Sequence, residues 1–486
     1  MSEPCDLSAV EARRLIGEKR LSPLELVDSC IGRIERVNPA LNAVVARDFE
    51  RARATAREAE QAVTGGRALG PLHGLPLGIK DLQATAGLRT TQGSPLYADH
   101  VPDRDDRIVA AVRSAGGIVL AKTNTPEFGA GANTVNQVYG FTGNPFDPER
   151  ICGGSSGGSA VALATGMVPL ATGSDLGGSL RTPAGFCGVV GYRPSPGLVA
   201  APENKVAWVP FNVDGPMARN VADVGLLLSA IAGRDPADPL SREVEGGRFA
   251  DPVPADLSGL KVAVSEDLGF APVDNSIRAL LRERVAFFAD RFGSCDAADP
   301  DLSGANEIFE VLRAVGLMAK HLERVEQTPE KVGPNVTANV KQGLSFSAAD
   351  VARAQREHTA LYRRFLRFME RYDLLICPAA AVPPFGQDRL YAEEINGERL
   401  RSYFHWIGIT YGITLTTHPA IILPCGLDPT GTPFGIQIVG RAGEDERLLR
   451  IAAALEAVLA ESPECRRPLP DLEKLSARTP EPEPVA

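Results

Sequence analysis

The stretch Arg150-Ile151-Cys152-Gly153-Gly154-Ser155-Ser156-Gly157-Gly158-Ser159-Ala160 is followed, after an apolar segment, by Gly173-Ser174-Asp175-Leu176-Gly177-Gly178-Ser179-Leu180-Arg181-Thr182-Pro183-Ala184. The two Gly/Ser clusters flank residues 161–171, which are apolar apart from Thr165 and Gly166. Glycine lacks a Cβ, so the backbone can take positive φ and approach a bound group closely. Successive free N–H groups in such a turn hold an anion. Serine adds a hydroxyl that donates, accepts or attacks. A flexible linker uses the same residues, but a linker has no need of an apolar segment of helix length between its halves. The pattern predicts a helix start over 159–164, a short buried strand over 167–172, a turn over 175–179 and a short helix opening over 179–184. The second cluster then sits where a strand end leads into a helix N-terminus, a place that favours negative charge.

Working outward, residues 72–82 form an apolar strand with Lys80 inside it. Lysine is rarely buried without a partner or a task, so Lys80 is either one half of a surface pair with Asp81 or a working residue. Ser22-Pro23-Leu24-Glu25 is a capping box with proline at the first helical position. Further helices are predicted over 49–63, 107–115, 220–232, 275–292, 305–326, 347–371, 402–415 and 444–460. Strands are predicted over 41–45, 117–122, 260–265, 374–377, 419–423 and 435–439, the last two joined by the turn Asp428-Pro429-Thr430-Gly431-Thr432. Residues 327–345 have weak periodicity and read as a surface loop. No internal repeat is present. This alternation gives an α/β fold in a single large domain over 1–475. Residues 476–486, with Pro480-Glu481-Pro482-Glu483-Pro484, read as a disordered tail.

Length alone suggests about three domains, yet no linker divides the chain. The 51 basic and 61 acidic residues leave a net charge of −10. No basic cluster of the kind that binds nucleic acid occurs. No run of about 18 apolar residues marks a membrane span, and the N-terminus lacks the basic and apolar regions of a signal peptide, so a cytoplasmic location is expected. The eight cysteines are scattered. Cys30, Cys187, Cys377 and Cys425 lie in apolar contexts and read as buried free thiols rather than disulfides or zinc ligands. No metal or organic cofactor is expected, since His and Cys do not cluster and no dinucleotide fingerprint occurs.

Three chemistries compete for the central stretch. Phosphate binding lacks its motifs there. A serine-hydrolase elbow matches Gly153-Gly154-Ser155-Ser156-Gly157, but it needs a downstream acid and histidine. His405 and His418 are the available histidines, and His418, preceding proline in an apolar strand, suits a core role. The third route uses no histidine. A serine nucleophile needs a base, and a desolvated lysine can be one because burial favours its neutral form. Lys80 has that setting, and a serine between lysine and nucleophile can pass the proton along.

Gly78-Ile79-Lys80-Asp81, Gly153-Gly154-Ser155-Ser156-Gly157-Gly158-Ser159-Ala160 and the run from Gly173 to Ala184, in that order, resemble the amidase signature family. The resemblance extends from the first helix to Gln437-Ile438-Val439-Gly440. It implies a large mixed sheet wrapped by helices and a Ser-Ser-Lys amide hydrolase forming a serine acyl-enzyme. On it, Ser179 is the nucleophile, Ser155 the bridging serine with a cis peptide before it, and Lys80 the base. The backbone N–H groups of Leu176, Gly177, Gly178 and Ser179 become the oxyanion hole, where each donor is worth about 3–4 kcal/mol. Ser156, Asp175 and Arg181 support the site, the last two either directly or as a structural ion pair. Glutamine-dependent amidotransferase A subunits usually have Thr, Ile and Gln where this chain has Leu176, Leu180 and Thr182. They usually carry a Tyr-Lys-Pro-Thr-Tyr-Gly-like run in place of Tyr192-Arg193-Pro194-Ser195-Pro196-Gly197. These departures favour a stand-alone amidase acting on a small-molecule amide over a component of an amidotransferase, and they leave room for a homo-oligomer. Residues 295–345 and 379–405 are expected pocket walls. Gly129, Phe404 and Trp406 are expected to meet substrate, with Tyr411 nearby, unless these aromatics serve core packing. Apolar or aryl amides are the expected substrates, with esters within reach of the same machinery.

Overall fold

The capping box at Ser22 forms as predicted. The Leu24 N–H donates to Ser22 Oγ at 3.1 Å, and the Ser22 N–H donates to Glu25 Oε2 at 3.0 Å. It starts helix α1 (Pro23–Val37), which is followed by strand β1 (Val44–Arg47) and helix α2 (Phe49–Thr64). The structure is a computed structural model and describes residues 3–478; the expected tail lies outside the described residues from 479 onward.

Strands β2 (Pro76–Lys80) and β3 (Ile118–Thr123) lead to the central stretch. That stretch folds as helix α3 (Gly157–Ala164), strand β4 (Leu170–Asp175) and the short helix α4 (Arg181–Cys187), close to the predicted order. Strands β5 (Val190–Arg193), β6 (Val213–Ala218), β7 (Lys261–Val264) and β8 (Ser294–Ala297) follow. Next come helices α5 (Ala305–Gln327), α6 (Pro334–Ser345) and α7 (Ala348–Met369), and strand β9 (Leu374–Pro378). Helix α8 (Gly408–Thr416), strands β10 (Ala420–Leu427) and β11 (Pro433–Val439), and helix α9 (Asp445–Leu459) close the domain.

Among the described residues eleven strands form one sheet, in the order β1-β3-β2-β4-β6-β5-β10-β11-β9-β7-β8. It is mixed. Strand β2 runs parallel to both β3 and β4, whereas β4 is antiparallel to β6 and β10 to β11. Leu77 pairs with Leu170 and Gly78 with Ala171, so β2 and β4 end on the same edge of the sheet. That edge receives Lys80 from one strand and Ser174 from the other. The carboxyl ends of neighbouring parallel strands are where α/β sheets place ligands.

Helix α3 is buried along its whole length, and its glycines allow this. A Cβ on Gly158 would lie 2.2 Å from the Asn124 nitrogen and 2.7 Å from the Ala43 oxygen. The glycines opening α3 therefore admit close packing of a helix on backbone, a use of glycine distinct from cradling an anion.

One segment departs from the sequence reading, and one strand lies where that reading assigned no element. Residues 327–345 were expected to be loop, but Pro334–Ser345 is a helix. Its buried face carries Val336, Asn339, Val340 and Gly343, a stripe with two apolar side chains, so the periodic signal is thin. A Cβ on Gly343 would meet Met318 Cβ at 2.7 Å, so a small residue is what seats α6 on α5. Strand β6 holds Asp214-Gly215-Pro216, which reads as a turn, yet it pairs in mid-sheet with β4 from Val213 opposite Asp175 to Ala218 opposite Leu170. Cys30, Cys187, Cys377 and Cys425 are buried free thiols. Among the described residues no helix is long and apolar enough to cross a membrane.

Candidate active site

Lys80 is the last residue of β2 and is fully buried. Its Nζ lies 2.7 Å from Ser155 Oγ, 2.9 Å from Ser156 Oγ and 3.0 Å from Ser174 Oγ. Burial lowers its pKa to about 7, against a smaller opposing effect of the Asp214 and Asp175 charges. All three of its partners are neutral hydroxyls, so no carboxylate directly holds the proton on. Near neutral pH the amine therefore spends much of its time unprotonated and able to accept one. The surface-pair alternative fails. Asp81 is buried too, and its carboxylate accepts from the Thr91 N–H and hydroxyl.

Lys80 is held from behind. Its backbone N–H donates to Thr172 Oγ1 at 3.2 Å, and Thr172 in turn donates to Gln83 Oε1. Gln83 Nε2 donates to Asp214 Oδ1 at 3.3 Å. Burial holds the Asp214 carboxyl up at about 7. A second buried lysine, Lys122, donates to the Gln83 carbonyl and, at 2.9 Å, to Thr85 Oγ1.

The Gly154–Ser155 peptide is cis, as the resemblance implies. Ser155 and Ser179 line one cavity together with Gly154, Ser174 and Gly129. Ser156 faces away from the cavity; its Oγ bridges Lys80 to the Ser174 backbone, accepting from the Ser174 N–H at 3.3 Å. Its own N–H donates to the Ser179 carbonyl at 3.2 Å, tying the two serine clusters together.

The turn before Ser179 is pinned by Asp175. The Gly178 N–H donates to Asp175 Oδ1 at 2.9 Å and the Leu180 N–H to Oδ2 at 3.1 Å. This corrects the expected oxyanion hole, because the Gly178 N–H is already committed. Among the described residues the N–H groups of Leu176, Gly177 and Ser179 have no acceptor. Gly178 has φ 132°, and a Cβ there would sit 2.3 Å from Thr410 Oγ1, so glycine is required for another reason. Asp175 is fully buried between Arg181 at 2.9 Å and Arg193 at 3.0 Å. The two guanidinium groups outweigh burial and hold its carboxyl far below the usual carboxylate range. Arg181 also donates to the Thr410 carbonyl, Thr414 Oγ1 and Gln437 Oε1, so it fastens the turn to α8 and β11. Neither Asp175 nor Arg181 lines the cavity, and their arrangement is that of a buried ion pair beneath the turn.

The cavity has a volume of about 100 Å³. Phe309, Arg313, Leu317 and Lys320 of α5 form one wall. Tyr403, Phe404 and Ile407 form another, and residues 128–132 a third. Gly129 and Phe404 thus meet the cavity as expected. Trp406 does not. It is 1% exposed, packs edge-on against Phe385 at 5.5 Å, and donates its indole N–H to the Tyr403 carbonyl at 3.0 Å. Tyr411 lies one layer back, stacked on Phe309 at 4.2 Å. Of the expected walls, Phe309, Arg313, Leu317, Lys320, His321, Tyr403 and Phe404 contribute, whereas 379–402 do not; Ile407 lies just beyond them.

His405 and His418 are both outside the cavity. His418 is buried, with Nδ1 2.7 Å from the Thr416 carbonyl and its ring against Phe365 at 4.7 Å. His321 does line the cavity, unforeseen from sequence. Burial and neighbouring cations hold its pKa at about 3, so it is neutral. Ser174, Gln83 and Asp214 were also missed. Ser174 stood in the quoted motif, but Asp214 was hidden by its turn-like neighbours. Among the described residues no group of three or more His, Cys, Asp or Glu side chains is placed to hold a metal ion.

Ser155 and Ser179 line one cavity, with the Lys80 amine 2.7 Å behind Ser155 Oγ, and comparison with known proteins gives the family. The family model described as Amidase matches residues 25–449. The chain belongs to the amidase signature family. It is an amidase, a hydrolase acting on amide C–N bonds. An acylamidase of Rhodococcus erythropolis is 36% identical over 457 residues, covering 93% of this chain and 95% of that one. The A subunit of the glutamyl-tRNA(Gln) amidotransferase of Thermosynechococcus vestitus is 33% identical, covering 92% and 96%. A crystal structure of a bacterial aryl acylamidase of the amidase signature enzymes superposes with a TM-score of 0.87 at 27% identity, covering 93% of this chain and 96% of that one.

Proposed function

We propose that this amidase acts alone on small apolar or aryl amides, through an acyl-enzyme on Ser179. The observation that carries the reading is the buried Lys80 amine, 2.7 Å from Ser155 Oγ and with a pKa of about 7, beside a cavity that Ser155 and Ser179 share. Ser179 Oγ attacks the amide carbonyl. Its proton passes to Ser155, whose own proton passes to Lys80. The carbonyl oxygen gains the negative charge and is held by the unpaired N–H groups of the 176–179 turn. The intermediate then collapses. Lys80 returns the proton through Ser155 to the leaving nitrogen, the C–N bond breaks, and the amine departs. Water repeats the sequence on the ester, releasing the acid and regenerating Ser179.

The aromatic walls from Phe128, Phe309, Tyr403 and Phe404 support an apolar or aryl group on the substrate. The likeness to amidotransferase A subunits favours a second reading, a glutamine amidase that works only with a partner protein. Leu176, Leu180 and Thr182 weigh against it. Intact-protein mass spectrometry after fluorophosphonate treatment of the purified chain tests the first reading. A single adduct on Ser179 and hydrolysis of a simple anilide without added protein support it. An adduct on Ser155 overturns the nucleophile, and ammonia release from glutamine only after a second protein is supplied selects the other reading.

A further inference from the structure

We propose that the cavity selects amides carrying a carboxylate about one ring or short chain away from the scissile bond, and that Lys320 recognises that carboxylate. The inference rests on the hydrolase reading above and adds a substrate class to it.

The cavity lining contains Arg313 and Lys320 but neither Asp nor Glu, although the chain as a whole carries a net charge of −10. The two cations are differently engaged. Arg313 is buried and engaged at both terminal nitrogens. Its Nη1 donates to Asn339 Oδ1 at 2.6 Å and its Nη2 to the Tyr403 hydroxyl, and its guanidinium lies 4.3 Å from the Phe404 ring centroid. It braces the aromatic wall. Lys320 is part-buried, and among the described residues its ammonium makes no hydrogen bond or ion pair; its carbonyl accepts from Arg324. Burial lowers its pKa, and the distant Asp214 charge opposes that only in part. A shielded cation without a counter-ion is unfavourable until an anion reaches it. His321 beside it is neutral and cannot share the task.

Position fits the role. Phe309 packs against Gly177 at the oxyanion turn, where a Cβ on Gly177 would lie 3.0 Å from Phe309 Cζ. Lys320 is on the same helix, about 16 Å further along at 1.5 Å per residue. Side chains on a helix lean toward its N-terminus, which brings the ammonium back toward the turn and leaves a gap that an aryl or short aliphatic spacer spans. Lys320 also opens onto a smaller adjoining pocket walled by Val206, Val209, Phe211 and Leu312. The spacer therefore meets apolar surface while the carboxylate meets the unpaired ammonium. A cationic substrate meets no acid in the lining.

The test is the ratio of kcat/KM for a charged anilide to that for acetanilide, measured within each enzyme so that a general loss of activity cancels. The charged probes are 4-acetamidobenzoate, with the carboxylate on the amine part, glutaranilic acid, with it on the acyl part, and 4-(trimethylammonio)acetanilide. In the wild type at least one anionic probe should exceed acetanilide and the cationic probe should fall below it. In Lys320→Met the anionic preference should fall by about ten- to a hundredfold, equivalent to about 1.4 to 2.8 kcal/mol at tenfold per 1.4 kcal/mol, and Lys320→Arg should restore part of it. Equal ratios in wild type and Lys320→Met, in enzymes that hydrolyse acetanilide, overturn the Lys320 assignment and leave the hydrolase reading standing. Failure of the wild type to hydrolyse any probe overturns both.

Discussion

The pH dependence of turnover follows from the burial of Lys80. The amine must be neutral to take the proton that leaves Ser179, and its pKa is about 7. The sign is set by its role as a base: kcat/KM should rise with pH and level off above neutrality. One unit below the midpoint only about a tenth of the lysine is neutral, and two units below about a hundredth, so the rate should fall about tenfold per pH unit on the acid side. A lysine at its ordinary value of 10.5 would give a limb still rising at about pH 9. Asp214 supplies an internal control. Its negative charge raises the Lys80 pKa, so Asp214→Asn should move the midpoint to lower pH. The assay is kcat/KM for a neutral anilide from about pH 5 to 9, in wild type and Asp214→Asn, with folding checked at each pH by circular dichroism. A flat profile, a midpoint near that of an ordinary lysine, or a midpoint that rises in Asp214→Asn would refute the reasoning.

Three further outcomes are expected. Asp175→Asn leaves the Arg181 and Arg193 charges buried and uncompensated, so stability by chemical denaturation should fall by about 3–5 kcal/mol, and a loss below about 1 kcal/mol contradicts the ion-pair account. Gly158→Ala places a Cβ 2.2 Å from the Asn124 nitrogen, and the soluble yield and melting temperature should drop well beyond the roughly 0.5 kcal/mol scale of an ordinary surface change; a wild-type melting curve contradicts the packing. Anilide hydrolysis should survive prolonged chelation, because the proposed relay uses only serine and lysine; activity lost on chelation and restored by zinc contradicts that relay.

The parts of the fold legible in sequence were those where one physical rule acted alone. Ser22-Pro23-Leu24-Glu25 announced a helix start because the cap is local. Lys80 stood out because a charge inside Leu77-Gly78-Ile79 needs a reason, and the structure supplies three hydroxyls. Features set by tertiary contact were hidden. Strand β6 keeps Asp214-Gly215-Pro216 in mid-sheet because β4 and β5 flank it, whatever the local turn preference. Helix α6 needs glycine and asparagine where it meets α5, so its apolar stripe is too sparse to read. The same blindness affected the site. Gly178 looked like a free donor in the motif, yet Asp175, three residues earlier, takes its N–H. Phe404 and Trp406 are near neighbours in sequence, and only side-chain direction puts one in the cavity and the other against Phe385.

The most direct measurement compares a matched anilide with a p-nitrophenyl ester of the same acid in wild type, Lys80→Ala, His405→Ala and His418→Ala. An amide nitrogen leaves only once protonated, so Lys80 acts there first as base and then as acid. A p-nitrophenolate leaves unaided, so for the ester only the first role is needed. Lys80→Ala should therefore lower kcat/KM for the anilide further than for the ester, by roughly a hundredfold or more, the scale of one lost acid–base contribution. The two histidine variants should keep both activities, since neither ring reaches the cavity. A dead histidine variant beside a nearly normal Lys80→Ala would contradict the lysine relay.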